Sequence, residues 1–205
     1  MSQLPRCIPR PARFLAWLVI GKVKVVGQVP SGGVLLCANH ASYRDVFLFG
    51  LINPAVRLLV HPLVFTFFKR WATQKGFVEI SIDSAVALLR RGEPVAICPT
   101  GLVEATGLAE LPFKTGAVRI AQQAGAPVVP VFFRYGNYPG PWVNRFSITV
   151  QNFLLFGLWP FYRRGATIYI GAAYEAKDEV RVETTALKAK VCALGAGGDG
   201  PGRGD

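Results

Sequence analysis

Between Val34 and Phe133, short apolar runs of strand length alternate with longer segments of helical pattern, and this alternation constrains the fold more than any other feature of the chain. Val34-Leu35-Leu36-Cys37-Ala38 reads as a buried strand behind a turn at Gly32-Gly33. Polar Asn39 to Ser42 ends it. Ser42 is a fair N-cap, so a helix is expected from there through Val46, Phe47 and Phe49 until Asn53-Pro54 breaks it. Arg57 to Val60, Phe77 to Ile80, Pro94 to Cys98 and Val128 to Phe133 read as further strands. Leu63 to Trp71, Ser84 to Arg91 and Gly116 to Ala124 read as helices, the last stopped by Gly125. Such alternation predicts an α/β fold with a mainly parallel central sheet flanked by helices, and functional groups on loops at the strand ends. Beyond residue 140 the pattern weakens. Phe146 to Val150 and Thr167 to Ile170 are candidate strands, and Val180 to Leu194 is a candidate final helix.

The chain has 205 residues, which suits one domain with a sizeable core. Charged residues make up only 17% and hydrophobic ones 51%, against about 25% charged in an ordinary soluble domain. The formal net charge is +11. Excess positive charge points to a polyanion, either nucleic acid or an anionic membrane. Here the basic residues sit beside aromatic and aliphatic runs, which favours a peripheral or monotopic position at a membrane, on its cytoplasmic face, over nucleic acid. Arg6, Arg10 and Arg13 precede Phe14-Leu15-Ala16-Trp17-Leu18-Val19-Ile20, and Lys22 and Lys24 follow. That run is far short of the roughly 20 residues that cross a bilayer, and no small-residue cleavage site follows it. Residues 1–29 are therefore read as an N-terminal membrane-interface segment carrying an interfacial helix; a signal peptide and a helix docked on its own domain are the alternatives. Residues 30–194 form the main domain, and the glycine-rich tail 195–205 is expected to be disordered. Residues 152–164, with five aromatics and an Arg163-Arg164 pair, read either as a second membrane contact or as a buried hairpin.

Cys7, Cys37, Cys98 and Cys192 form no CxxC pair, and only two histidines accompany them, so no metal site is expected. Cys37 and Cys98 lie in apolar runs and read as buried thiols.

The sharpest feature is Asn39-His40-Ala41-Ser42-Tyr43-Arg44-Asp45. His40 and Asp45 are five positions apart, which would put them on different faces of one regular helix. With His40 in the loop and Asp45 in the first turn of the helix, the carboxylate can reach the imidazole. It then fixes the tautomer and leaves the other ring nitrogen to accept a proton from a hydroxyl. Help of this kind contributes typically 10²–10⁴-fold.

These residues resemble the NHxSxxD form of the H-x4-D motif in the lysophospholipid (glycerolipid) acyltransferase family. Gly76-Phe77-Val78-Glu79-Ile80 is similar to that family's second block. Val95-Ala96-Ile97-Cys98-Pro99-Thr100-Gly101 is similar to the third, usually FPEGT-R. Phe113-Lys114-Thr115-Gly116-Ala117, with Gly125-Ala126-Pro127-Val128-Val129-Pro130-Val131, resembles the fourth with its proline, Pro130. The resemblance covers about residues 30–135. It implies an O-acyltransferase in which His40 and Asp45 are catalytic and the acceptor hydroxyl attacks an acyl thioester directly. The donor is acyl-CoA or acyl-carrier protein, and no cofactor or metal is needed. A membrane lipid is the implied partner, and Asn39, Ser42, Arg44, Pro99, Thr100, Gly101, Glu104, Lys114 and Pro130 are the implied substrate contacts. Backbone N–H groups around Thr100-Gly101 are candidate oxyanion donors; an ordinary turn is the plainer reading.

Four departures bear on the acceptor. Ser81 stands where the second block usually has arginine. Thr100, Leu102 and Val103 stand where the third usually has Glu, Thr and Arg. Both lost arginines are strong phosphate partners. Pro99 to Ala105 is instead similar to the PGGxxEA block of the family's neutral-lipid branch, in which Glu104 would hold a hydroxyl or amine of a phosphate-free acceptor. The alternatives are 1-acylglycerol 3-phosphate as acceptor, with phosphate on Lys114 or Arg44, and Arg119 as a further cation; a non-catalytic lipid-binding protein of the membrane surface; and a thioester hydrolase.

Overall fold

The computed structural model describes residues 20–42, 44–60, 76–104, 109–136, 145–146, 150, 154 and 165–197. The expected helix Leu63 to Trp71 and nearly all of the N-terminal interfacial helix lie outside these residues, as do most of 152–164 and the last eight residues of the tail.

Among the described residues seven strands form one sheet. In chain order they are β1 (Val23–Val26), β2 (Leu35–Ala38), β3 (Arg57–Val60), β4 (Phe77–Glu79), β5 (Val95–Ile97), β6 (Val128–Tyr135) and β7 (Ala166–Ile170). Across the sheet the order is β1-β7-β6-β2-β5-β3-β4. Every neighbouring pair is parallel except β6 and β7. The helices are α1 (Asp45–Ile52), α2 (Ile82–Arg90), α3 (Gly116–Ala124) and α4 (Val180–Ala196). This is the mainly parallel α/β architecture that the alternating pattern predicts.

The central strands are apolar along their whole length because both faces are covered. On one face α1 presses Leu48, Phe49, Leu51 and Ile52 against Leu36, Ala38, Val129, Val131 and Phe133. The Phe49 and Phe133 rings meet edge to face, centroids 4.9 Å apart. On the other face α2, α3 and α4 pack Leu88, Leu89, Val118, Ile120, Leu187 and Val191 against Leu35, Cys37, Val95, Val128 and Phe132. Odd positions of β6 thus face α1 and even positions face α3 and α4, the period-two rule of a strand.

Four expectations need correction, the first being the start of the disordered tail: Gly195 and Ala196 still belong to α4, with Gly195 buried. Val23–Val26 is an edge strand paired with β7, within the stretch read as membrane interface. Its lysine, Lys24, and single well-buried position, Val25, hid the strand pattern. Phe146 lies in a bend and Val150 in a helical turn, both exposed, so neither end of the expected Phe146–Val150 strand is extended; β6 pairs with β2 and β7 instead. Ser42 does not cap α1: the N-cap position is Arg44, with no side-chain cap bond. The Ser42 hydroxyl accepts from the backbone N–H of Arg44 at 3.2 Å and from Arg44 Nε at 3.2 Å.

Candidate active site

Strand β2 ends at Ala38 in the middle of the sheet, and the chain must then leave the sheet without stranding polar backbone. Asn39 solves this. Its side-chain amide donates to the Phe133 carbonyl at 3.1 Å and accepts from the Phe133 N–H at 2.7 Å, replacing one rung of the β2–β6 ladder. Asn39 is fully buried. The structure therefore makes it a backbone partner rather than the expected substrate contact.

The next residue, His40, stands in the loop, its side chain 22% exposed, and its Nδ1 lies 2.9 Å from Asp45 Oδ2. A carboxylate can only accept here, so Nδ1 carries the hydrogen and Nε2 the lone pair. Asp45 opens α1, where the helix dipole favours an anion. Instead of capping its own helix, the carboxylate turns back on the loop. Oδ2 accepts from the N–H groups of Ala41 at 2.8 Å and Ser42 at 3.1 Å. Oδ1 accepts from the Tyr135 hydroxyl at 2.7 Å. The residues five apart are joined because the loop 39–44 curls around this carboxylate.

Tyr135 is the residue that sequence reasoning missed. The β6 run was ended at Phe133, before Arg134-Tyr135; extending its alternation by two residues puts Tyr135 on the α1 face. Arg44, read as a phosphate contact, is buried with its guanidinium 5.1 Å from the Tyr135 ring centroid. It braces the loop from below.

The loop after β5 forms the opposite wall. The Glu104 N–H donates to the His40 carbonyl at 2.7 Å, tying the two loops together. The Glu104 carboxylate is buried and accepts from the N–H groups of Glu110 and Leu111 at 2.9 and 3.2 Å. Burial raises the pKa of that carboxyl in spite of those bonds. Its oxygens are thus engaged by backbone, which corrects its expected role as the holder of an acceptor hydroxyl or amine. Gly101 N–H donates to the Cys98 carbonyl at 3.0 Å, and the Thr100 hydroxyl to the Leu102 carbonyl at 3.0 Å. Both close the turn, so the Gly101 N–H offered as an oxyanion donor is already used. Pro99 accepts the Lys114 N–H at 3.0 Å. Gly101 has φ +69, and a Cβ there would stand 3.0 Å from Lys114 Nζ, so the lysine lies across this glycine.

Pro130 belongs elsewhere. It shares β6 parity with Val128 and Phe132, and its ring lies against Gly171, on the sheet face away from α1. It is a sheet residue, not a site residue. Arg119 is exposed on α3, which packs on that same far face. Cys98, read as a core thiol, is instead half-buried beside His40 and Asp45.

A loop histidine is thus locked to a helix-start carboxylate at the strand ends of an α/β sheet. The family model described as Acyltransferase matches residues 22–134, over half of the chain, and the chain belongs to that family. Over 124 residues it is 31% identical to proteins named 1-acyl-sn-glycerol-3-phosphate acyltransferase from Neisseria gonorrhoeae and from Neisseria meningitidis serogroup B. Those matches take in 53% of this chain and 46% of each relative, so the chain spans about half the length of the curated relatives it matches. In fold it is similar to the crystal structure of the 1-acyl-sn-glycerophosphate acyltransferase PlsC from Thermotoga maritima. The TM-score is 0.70 at 17% identity, covering 93% of this chain and 78% of that one.

Proposed function

We propose that this chain moves a fatty acyl group from an acyl thioester, carried by coenzyme A or acyl-carrier protein, to the hydroxyl of a membrane lipid. The observation that carries the reading is the 2.9 Å contact between His40 Nδ1 and an Asp45 carboxylate held by three further donors. His40 Nε2 takes the hydroxyl proton as the oxygen attacks the thioester carbonyl. The tetrahedral intermediate collapses with loss of the thiolate, which takes the proton back from the imidazolium. Asp45 stabilises that transient cation.

1-Acylglycerol 3-phosphate is the acceptor best supported. Lys114 offers an exposed ammonium over the loop that is bonded to His40. The Neisseria relatives carry that substrate in their names. A phosphate-free acceptor is the second reading, favoured by the absence of arginine at Ser81 and Val103. Acceptor profiling with one labelled acyl donor separates the two: Lys114→Ala raises KM for the phosphate acceptor and leaves a neutral acceptor unaffected. His40→Ala removes acyl transfer to either, with the fold intact by circular dichroism. Wild-type turnover in that variant would refute the assignment.

A further inference from the structure

Three donor atoms of different chemistry converge where β2, α1 and β5 end together. A ring nitrogen of His40, a carboxylate oxygen of Asp45 and Cys98 Sγ all lie within 4.8 Å of one another. Acyl transfer by a general base uses the first two and has no task for the third. Cys98 Sγ makes one weak contact, 3.8 Å to the Asn39 carbonyl. It also stands where the third block of the resembling family usually has phenylalanine, so a metal-ligating atom replaces an inert ring.

We propose that His40, Asp45 and Cys98 form a binding site for a borderline-soft divalent cation of the zinc type, and that its occupancy inhibits the enzyme. Imidazole, carboxylate and thiolate are the ligands such an ion prefers, and three of them leave a fourth position for solvent. Magnesium and calcium fit poorly, since they ask for six or more oxygens. Bonds of about 2.0–2.3 Å in a tetrahedron set the donors roughly 3.3–3.7 Å apart. One donor atom from each of the three residues already lies within 4.8 Å of the others, so the set has to close by only about 1 Å. The site is reachable, because His40 and Cys98 are only half-buried. Tyr135, on the outer oxygen of Asp45, supplies the orienting hydrogen bond that metal carboxylates normally have.

Binding releases one proton, from the Cys98 thiol. Neutral imidazole has a single in-plane lone pair. A cation that takes it, on either nitrogen, leaves none to accept the substrate proton. Inhibition therefore rests on the function proposed above; binding does not.

Cobalt(II), a coloured stand-in for zinc, tests both parts on the full chain. The expected result is one equivalent bound with a thiolate-to-cobalt charge-transfer band, displaced by zinc. Cys98→Ser removes that band and weakens binding by roughly a hundredfold; Cys192→Ser changes neither. Zinc inhibits the wild type reversibly, and Cys98→Ser turns over in zinc at its own metal-free rate. No thiolate band in the wild type, or an equal band in Cys98→Ser, overturns the proposal while leaving acyl transfer standing. Cobalt bound to a chain with no acyl transfer would keep the cation site, overturn its inhibitory role and sink the function.

Discussion

Asp45 accepts from His40, Ala41, Ser42 and Tyr135 at once. Each bond restrains the carboxylate, and together they fix the plane in which the imidazole must lie. Asp45→Asn replaces an acceptor by an amide that cannot satisfy all four donors and selects the wrong tautomer; kcat should fall by roughly 10³–10⁴. Tyr135→Phe removes one donor of four, worth about 0.5–1.5 kcal/mol, so kcat should fall only about two- to tenfold. A Tyr135→Phe loss as deep as that of Asp45→Asn would mean the hydroxyl does more than position. Asn39 gives the complementary case. Its truncation to alanine strips partners from the buried N–H and C=O of Phe133 and should destabilise the fold by about 2–4 kcal/mol in denaturant titration. Lost turnover in that variant would follow lost structure, not lost chemistry.

Elements place those residues, and two glycines show how differently a turn can depend on lacking a side chain. Gly125 ends α3 at φ +63, in the left-handed region, yet a Cβ there would meet nothing within 4 Å. Gly125→Ala should cost about 1 kcal/mol, the conformational penalty alone. Gly33, just before β2, is the reverse: a Cβ would stand 2.1 Å from the Leu89 carbonyl oxygen of α2. Backbone cannot yield cheaply, so Gly33→Ala should cost about 3 kcal/mol or more. Chemical denaturation of the two variants checks the ranking, and equal midpoints would contradict it. Because β2 leads straight to His40, the Gly33 variant should also lose activity at temperatures where Gly125→Ala does not.

For the whole molecule, the proposed lipid acceptor raises the question of attachment to a bilayer. No helix among the described residues is long and apolar enough to cross a membrane. The +11 charge and the apolar runs around it support peripheral attachment. Strand β1 dictates where a truncation can be made. Removing residues 1–19 takes away Arg6, Arg10 and Arg13 and leaves the sheet whole; binding to anionic vesicles should weaken by roughly a hundredfold, at about 1 kcal/mol per charge. Removing residues 1–26 also deletes the partner of β7, together with the Ile20 and Lys22 carbonyls that accept from Gly165 and Ala166. That variant should lose stability as well. Vesicle cosedimentation with thermal denaturation distinguishes the two, and unchanged binding of the shorter truncation would move the anchor to residues 152–164.

The helix Gly116–Ala124 and the strand Arg57–Val60 were legible to the residue, and the parallel sheet followed from alternation alone, because apolar periodicity and glycine stops act over a few neighbouring positions. His40 and Asp45 were legible too, being close in the chain. What the line of residues determined was therefore the fold class and the hydrogen-bonded pair His40 and Asp45. The tertiary structure decided the rest. It brought Tyr135 and Cys98 to that pair from distant strands, sent Pro130 to the far face, and turned Asn39 and Glu104 into backbone partners. Those roles depend on which strand lies beside which and which way each side chain points once the sheet is assembled. Hydrogen bonding between segments so far apart leaves no periodic trace in either one.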